Sequence, residues 1–453
     1  MSGSFIARAL VVTLFLMPAD LRAQVAPTDL PPEMVEKLGR QVFAADPRVG
    51  GGAQEMLRER GNPDVVALLI QALRYLPDGE TLTDTLTGAS PGIDWHNWML
   101  WQDGHPKIVP YAGFDAFKAD VMAHIDSNFR LFLRAGVRHE IHLEEIAWGG
   151  VAKDGIPALT NPTHIAAEAA NYLTDDELVF GVASDGDVRA YPLRILDWHE
   201  MFNDVVGGVP TALAYCTLCA SGILFETTVA GQPEPFVFGS SGFLYRSNKL
   251  MYDQQTHSLW NQFTGRPVVG PLTGSGIALK VRPIAITTWK KWRARHPKTR
   301  ALSLETGFPR EYSLGRAYGK YFASPELMFP ALVRDERFAA KSYVFALRLG
   351  GDQKAWPVSA FAGGQVINDR VGDLDVVLVG DAASRSVRAY DADDMDFTAT
   401  DDGGIIASSK GDWSVEEAAL VGAGGKRLRR LANHIAYWFA WRGYNPNAAV
   451  FGD

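Results

Sequence analysis

Val-Phe at residues 179–180 and Arg-Ala-Tyr-Pro at residues 189–192 return 165 residues later, as Val-Phe at 344–345 and Lys-Ala-Trp-Pro at 354–357. Equal spacing between matched segments is the signature of an internal repeat. We therefore predict that the larger part of the chain is a duplicated unit. The first copy would occupy 140–325, and a shorter, degenerate second copy would occupy 335–453.

Later landmarks of the first copy also return, at a shorter offset. Two tryptophans and a proline are matched 149 residues further on, with unchanged internal spacing: Trp289, Trp292 and Pro297 match Trp438, Trp441 and Pro446. Asn-Asp at 203–204 keeps the first offset and returns at 368–369. Because this pair is kept in both copies and is common in turns, we predict a turn role for it.

The fold class predicted is α+β, with an N-terminal helical domain followed by the duplicated β-rich unit. The 44 glycines and 25 prolines favour short strands and turns over long helices. Residues 28–135 differ, because Asn62 and Pro63 form a helix-start signal and apolar residues follow at helical spacing. A second helix is predicted from Phe114 to Ala135.

The first 23 residues read as a signal peptide. Arg8 precedes an apolar run of nine residues, too short to span a bilayer, and Ala23 fits a cleavage position. We expect a periplasmic or secreted protein whose mature chain does not insert into a membrane. The net charge of −8 without a basic stripe argues against nucleic acid as a partner. The oligomeric state is not predicted.

Chemistry is expected at Cys216 and Cys219, the chain's two cysteines. A Cys-x-x-Cys pair can be a metal–thiolate clip, a redox dithiol or a structural disulfide. Redox dithiols of the thioredoxin type begin a helix, whereas the residues after Cys219 predict a strand. A disulfide closing so short a loop would contribute only roughly 2 kcal/mol. A metal site is therefore the leading hypothesis, and the other two stay open.

The second copy serves as an internal control for this choice. The offset of 165 places Asp381 at the position of Cys216, Ser384 at that of Cys219 and Gly364 at that of His199. Because the second copy lacks every soft ligand, we expect the first to hold the reactive site and the second to be a packing scaffold. His199 is the candidate third metal ligand, with a buried or surface histidine as its alternative. Two thiolates favour copper, then zinc or iron.

Three further residues are predicted to line the adjacent cleft. Ser241 follows Gly239 and precedes Gly242, which permit close backbone approach, and is the candidate for binding a cofactor. Tyr252 and Asp253 are candidate catalytic residues beside the cysteines, with turn and core roles as their alternatives. No Walker or Rossmann pattern occurs, so we expect no nucleotide cofactor and a small-molecule substrate.

Several motifs together resemble those of the bacterial family called domain of unknown function 3179. They are Asp-Gly-Ile-Pro-Ala-Leu at 154–159, Arg-Ala-Tyr-Pro-Leu at 189–193, His-Glu-x-x-Asn-Asp at 199–204, Tyr-Cys-x-Leu-Cys-x-Ser at 215–221, Gly-x-Ser-Gly at 239–242 and Met-Tyr-Asp-x-x-Thr-x-Ser-Leu-Trp at 251–260. The resemblance covers about 150–310. Thr217 stands where the family pattern implies proline. The family name implies no activity, so the resemblance supports the choice of site residues without naming a reaction.

The sequence thus predicts an exported protein with a Cys-x-x-Cys metal site that serves redox or metal-assisted chemistry on a small molecule. Whether it is an enzyme is left open; the enzyme class considered is a metal-dependent oxidoreductase. The alternatives are a thiol–disulfide oxidoreductase and a non-enzymatic binding module with a structural disulfide between Cys216 and Cys219.

Overall fold

The structure is a computed structural model that describes residues 30–59, 62–76, 89, 92, 94–332 and 335–453. The predicted signal peptide lies outside the described residues. The chain divides into two compact units. One comprises the described residues up to Val121 together with Arg134–Gly136, and the other comprises Met122–Leu133 and Val137–Asp453.

Helices dominate the N-terminal part of the described chain. They are α1 (Pro32–Val42), α2 (Pro47–Glu59), α3 (Val66–Tyr75), α4 (Trp95–Gly104) and α5 (Phe114–Ile125). Asn62 caps a 3-10 turn at Pro63–Val65 by accepting a hydrogen bond from the Asp64 amide, and α3 follows. The predicted helix-start signal at Asn62 is thereby confirmed.

The helix that begins at Phe114 is shorter than predicted. It ends at Ile125 and not at Ala135. The reason is Asp126, whose extended backbone leaves the helix and whose carboxylate accepts the Asn128 amide. That side-chain bond starts a separate 3-10 turn, Ser127–Leu131, because an aspartate that bonds its own following backbone favours a new cap over a continued helix.

Strands are the main secondary structure of the chain after residue 145. The first group is β1 (Ile146–Trp148), β2 (Leu159–Thr160), β3 (His164–Ala166), β4 (Leu178–Ser184), β5 (Asp187–Pro192), β6 (Met201–Val206), β7 (Val209–Cys216), β8 (Ser221–Glu226), β9 (Phe238–Tyr245), β10 (Asn248–Asp253), β11 (Leu259–Asn261), β12 (Arg266–Val269), β13 (Lys280–Arg282), β14 (Ala285–Thr288) and β15 (Arg300–Leu302). Three short helices lie among and after them: α6 (Leu193–His199), α7 (Trp289–Arg295) and α8 (Gly319–Ala323).

The remaining strands follow residue 342. They are β16 (Tyr343–Leu349), β17 (Asp352–Pro357), β18 (Gln365–Val371), β19 (Leu374–Asp381), β20 (Ser386–Asp391), β21 (Phe397–Ala399), β22 (Ile405–Ser408), β23 (Gly411–Val415), β24 (Ala419–Val421), β25 (Arg427–Arg429), β26 (Asn433–Tyr437) and β27 (Ala449–Val450), with α9 at Trp438–Tyr444. The predicted order, N-terminal helices followed by a β-rich region in a mixed α+β protein, is confirmed.

The strands form five sheets within the described residues. The largest has the order β2-β6-β7-β8-β26-β16-β17-β27, with β13 also on β8, and the others are β1-β9-β10-β11-β12, β14-β4-β5-β15-β3, β18-β19-β20 and β21-β22-β23-β24-β25. The large sheet joins β8 to β26, so strands from before and after residue 335 share one sheet. Cys216 and Cys219 are buried in the hydrophobic cluster on this sheet.

Similar side-chain contacts occur at the residues that the repeat aligns. In the first half, the Asp204 carboxylate accepts hydrogen bonds from Arg189 and from the Tyr191 hydroxyl, both at 2.7 Å. In the second half, the Asp369 carboxylate accepts from its counterpart cation, Lys354, and from the indole of Trp356, again at 2.7 Å. Each set ties a hairpin to the strand that follows it.

The predicted turn role of Asn-Asp at 203–204 is wrong. Both residues lie inside strand β6. The amide of Asn203 pairs with the backbone of Phe238, donating to its carbonyl at 2.9 Å and accepting its N–H at 2.8 Å. Asn368 makes the same two bonds to Phe397. A side-chain amide can imitate a strand partner in this way, so the residues fasten neighbouring strands instead of turning the chain.

No helix among the described residues is long and apolar enough to cross a membrane.

Candidate functional site

The Cys-x-x-Cys motif forms a turn between two buried strands. Strand β7 ends at Cys216 and β8 begins at Ser221. The amide of Cys219 donates to the Cys216 carbonyl at 3.3 Å, and Ala220 adopts a left-handed backbone with a φ of 46°. The predicted placement of the motif, at the end of one strand before another strand, is confirmed.

The two thiols are free, buried and in contact. Cys216 is 2% exposed and Cys219 is fully buried. Their side chains are hydrogen-bonded to each other, and the Cys219 thiol donates to the Ser247 carbonyl at 3.1 Å. Burial raises the pKa of the Cys219 thiol well above its usual range, and Cys216 and Glu200 raise it further. Cys219 is therefore protonated at neutral pH and is a weak nucleophile unless a cation displaces its proton.

Aromatic side chains and backbone hydrogen bonds enclose this turn. The Tyr321 hydroxyl donates to the Leu218 carbonyl at 2.7 Å, and the Tyr437 amide donates to the Cys219 carbonyl at 2.8 Å. Lys341 lies 3.3 Å from the centre of the Tyr321 ring and donates to the Tyr321 carbonyl at 2.7 Å. Reagents therefore reach the thiols only when this cover moves.

A buried ion pair lies one hydrogen bond away from the turn. Lys249 and Glu200 are 3.0 Å apart, with side chains 5% and 8% exposed. The hydroxyl of Thr217, which stands between the two cysteines, donates to the Glu200 carboxylate at 2.8 Å. Glu200 also adopts a left-handed backbone, with a φ of 52°, directly after α6. A non-glycine residue held in this conformation indicates local strain, which clusters at functional sites.

A second buried acid lies on the same helix. The Asp197 side chain hydrogen-bonds Tyr215, the residue before Cys216. Burial raises the pKa of Asp197 to about 7, the hydrogen bond from Tyr215 lowers it, and the nearby Glu200 charge raises it. Asp197 can therefore gain or lose a proton near neutral pH beside the cysteine strand. A carboxyl group with these properties is suited to proton transfer.

His199 has neighbours other than the cysteines. Its Nδ1 is 2.7 Å from the Pro157 carbonyl, so this nitrogen carries a proton, and its Nε2 accepts from the Tyr312 hydroxyl at 2.6 Å. Burial lowers the pKa of His199 to about 4, so the ring is neutral. The Nε2 lone pair has the tautomer that metal ligands use, but a hydroxyl occupies it. The metal-ligand role of His199 stays a prediction.

The hydrogen bonds of the Ser241 hydroxyl stay within its own β-hairpin. Its hydroxyl donates to the Leu250 carbonyl at 2.5 Å and accepts the Phe243 amide at 3.0 Å. Gly242 beside it has a φ of 85°. These bonds hold an irregular stretch of β9 against β10, and neither reaches the cysteines. The cofactor-binding role of Ser241 stays a prediction.

Asp253 is buried and accepts hydrogen bonds from the loop that follows it. The donors are the Thr256 amide at 2.5 Å and hydroxyl at 2.8 Å, the Ser258 amide at 3.2 Å and the Trp260 indole at 2.8 Å. This set of donors gives the carboxylate a structural task, namely closing the loop between β10 and β11. Its catalytic role stays a prediction.

Tyr252 faces a different group of polar residues. Its hydroxyl donates to the Asp154 carboxylate at 2.7 Å, and Lys153 lies 4.6 Å from the centre of its ring. Burial raises the pKa of Tyr252 to about 12, and the hydrogen bond to Asp154 raises it as well. The phenol therefore stays protonated at neutral pH. None of its hydrogen bonds involves a cysteine, and its catalytic role stays a prediction.

Within the part of the chain that the structure describes, no group of three or more His, Cys, Asp or Glu side chains could hold a metal ion. The two thiols are thus the soft donors that the structure brings together. Glu200, Asp197 and Lys249 were missed by sequence reasoning. Glu200 adjoins His199 in a motif of the family resemblance, a usable signal, whereas nothing in the sequence around Lys249 indicates a buried cation.

Comparison with known proteins agrees with the motifs. The family described as a protein of unknown function, DUF3179, matches residues 153–448. The chain belongs to this family. The match extends well beyond the motif-bearing stretch of about 150–310, because it includes the strands after residue 335 as well. No curated protein and no solved structure matches the chain.

Proposed function

We propose that Cys216 and Cys219 bind one transition-metal ion through their thiolates, in an exported, periplasmic or secreted protein. The ion would serve redox or metal-assisted chemistry on a small molecule. The observation that carries the proposal is the pairing of two free, buried, mutually hydrogen-bonded thiols on one turn. In such a place a soft cation gains two thiolate bonds and releases two protons.

Copper is the metal that this donor set favours. Thiolates are soft ligands and select copper(I), zinc or iron–sulfur clusters. Zinc takes four ligands in structural sites and three protein ligands in catalytic ones, which two cysteines alone do not supply. His199 belongs to no three-ligand group among the described residues, so it would join the two thiolates only if its ring left the Tyr312 hydroxyl and moved toward them. We therefore rank copper(I) ahead of zinc and iron.

The polar residues beside the thiols supply the remaining chemistry. Lys249 and Glu200 form a buried charged pair linked through Thr217 to the turn. The hydrogen bond from Thr217 to Glu200 would help to hold the turn in place. Asp197, with a pKa of about 7, would hold or release a proton near a substrate bound at the turn between β7 and β8.

We also propose that 140–325 and 335–453 are copies of one unit. Three observations support this. Strands β7 and β8 share their bounds with β19 and β20 at the offset of 165, and β6 differs from β18 only by one residue at its start. Helices α7 and α9 match at the offset of 149. The parallel pairing of Arg300 with Arg189 corresponds to that of Ala449 with Lys354.

Thiol–disulfide exchange is the second candidate, and the direct contact between the two thiols favours it. In that reaction one thiolate attacks a substrate disulfide, the other resolves the mixed disulfide, and two electrons pass from the cysteines to the substrate. The raised pKa of Cys219 opposes this role, because the thiolate is the nucleophile. We therefore place it after metal binding.

Metal analysis of protein purified without a metal-affinity tag tests the proposal. Wild type is expected to carry about one metal ion per chain, and Cys216→Ser is expected to lose it. Ser384→Ala is the matched control, because Ser384 aligns with Cys219 in the second copy, and it should retain the metal. Loss of metal in His199→Gln would place the imidazole in the ligand set.

Three other outcomes would contradict metal binding or favour one of its alternatives. The metal proposal would be wrong if wild type is metal-free and has a disulfide between Cys216 and Cys219. Trapping thiols in cells detects that disulfide. A disulfide that cannot be reduced without unfolding supports the structural role. A disulfide that exchanges reversibly with added dithiols supports the oxidoreductase.

A further inference from the structure

A large cleft lies between α7 of the first half and strands of the second half, and its lining includes no residue of the cysteine turn. Its volume is about 830 Å³, within the range that small-molecule sites occupy. One wall is the face of α7 that carries Lys291 and Arg295, which are four residues apart and so lie on the same side of the helix. Strands β18–β20 form the floor, and the loop at 399–406 forms the other wall.

A group of cations, of which Arg388 and Arg430 are buried, lies at this cleft. The Glu417 carboxylate is 2.6 Å from Arg388 and 2.8 Å from Arg430, and it is 4.0 Å from Arg295 and 3.5 Å from His296. Three guanidinium groups thus share one carboxylate, which leaves two positive charges without a buried partner. These cations hold the pKa of Glu417 well below its usual range, although burial itself raises it.

Arg295 is the member of this group that faces the cleft with unused donors. In the described part of the chain its guanidinium makes one hydrogen bond, from Nη1 to the Val415 carbonyl. Its side chain is 27% exposed. Ser386 adds a hydroxyl that accepts from Arg388 at 2.6 Å, so its own proton is available to a ligand.

The acidic residues of the cleft do not cancel this charge. Asp381 is 2.5 Å from Lys291 and also accepts from the amide and hydroxyl of Ser384, so it neutralises the lysine and not the arginines. Asp401 and Asp402 are exposed on the loop at the rim. Solvent and salt screen exposed charges much more than buried ones. The depth of the cleft therefore remains positive.

We propose that this cleft binds a small molecule that carries an oxyanion, a carboxylate or a phosphate group. Arg295 would donate a paired set of N–H bonds to it, Ser386 a hydroxyl bond and Lys291 a further N–H bond. A guanidinium matches the two oxygens of such a group, and charge-assisted pairs of this kind are the strongest hydrogen bonds in proteins.

The cleft includes the turn that the proposed duplication aligns with the cysteine turn. Asp381 and Ser384, which line it, stand where the first copy has Cys216 and Cys219. Both turns also place a non-glycine residue in the left-handed conformation at the next aligned position, Ala220 and Arg385. At the aligned turn the second copy thus contributes to a cleft, together with Lys291 and Arg295 of the first copy, whereas the first copy has a thiol site there.

Binding of inorganic phosphate and of glutarate to the full mature chain tests this inference, by calorimetry at constant ionic strength held with KCl. Wild type is expected to bind at least one of the two saturably. Arg295→Gln should weaken that binding at least tenfold. Arg293→Gln is the matched control, because Arg293 lies on the same helix but pairs with Asp175 outside the cleft, and it should bind as wild type does.

The two probes also separate the sources of the oxyanion. Binding of phosphate alone indicates a phosphorylated ligand, binding of glutarate alone a carboxylate, and binding of both the shared group. Ser386→Ala, expected to weaken binding several-fold, keeps the inference testable if Arg295→Gln does not fold. Absence of saturable binding by either probe, or equal binding by Arg295→Gln and wild type, would overturn the inference.

Discussion

Replacing Glu200 by glutamine tests whether the buried pair beside the cysteines is as costly to break as its geometry indicates. The amide oxygen of glutamine still accepts from Thr217, so the change removes mainly the charge opposite Lys249. Lys249 would then be a buried cation, 5% exposed, without its 3.0 Å partner. Leaving such a charge unpaired costs about 3–5 kcal/mol. We expect a loss of that size in the free energy of unfolding.

Urea unfolding of metal-free protein, followed by tryptophan fluorescence, measures this loss. Glu311→Gln is the matched control, because Glu311 and Arg316 are 2.8 Å apart but 58% and 62% exposed. That substitution should cost less than about 1 kcal/mol. Adding Lys249→Met to Glu200→Gln should recover part of the stability. A loss below about 1 kcal/mol for Glu200→Gln, or no recovery in the double variant, would refute the reasoning.

Four more predictions concern substitutions of single residues. Tyr321→Phe, which removes the bond over the cysteine turn, should speed modification of the thiols by a soluble thiol reagent, and an unchanged rate would show that Tyr321 is no cover. Asp197 has a raised pKa of about 7, so its contribution to stability is full at acid pH and is lost as pH rises through 7; Asp197→Asn should flatten the change in urea midpoint between pH 5 and pH 8. Gly222→Ala should cost about 1–3 kcal/mol, because the added Cβ would lie 2.4 Å from the Phe180 ring. In contrast, Gly51→Ala, inside α2 with open space around it, should stabilise the chain by about 0.5–1 kcal/mol in the same unfolding assay.

Local signals in the sequence predicted local structure well. The cap at Asn62, the strand after Cys219 and the placement of both cysteines at a strand end depend on neighbouring residues, and the structure confirms them. The end of the helix after Phe114 was missed because a single capping bond at Asp126 outweighs the apolar periodicity that continues beyond it.

Contacts between residues far apart in the chain could not be predicted from the sequence, for a physical reason. Glu200 and Lys249 are 49 residues apart, and only the folding of β10 over the end of α6 brings them together. Asn203 was assigned a turn because its residue type favours turns, whereas its partner, Phe238, lies 35 residues away. The turn propensity of a residue reflects only its local sequence. The positions of these side chains depend instead on strands that are distant in the sequence.

The proposed metal site and the proposed oxyanion site should be energetically separate, although they lie at turns that the proposed duplication aligns. The aligned turns keep a left-handed residue, Ala220 in one and Arg385 in the other, although neither is glycine, so the backbone of the turn is maintained at some cost. The side chains on the turns differ completely, and among the described residues no hydrogen bond joins the thiols to the arginines of the cleft. Cys216→Ser should therefore leave phosphate or glutarate affinity unchanged, and Arg295→Gln should leave metal content unchanged, because substitutions without shared partners add independently. If either substitution altered the other site, the copies would act as one coupled centre, and a ligand in the cleft would then regulate the cysteines.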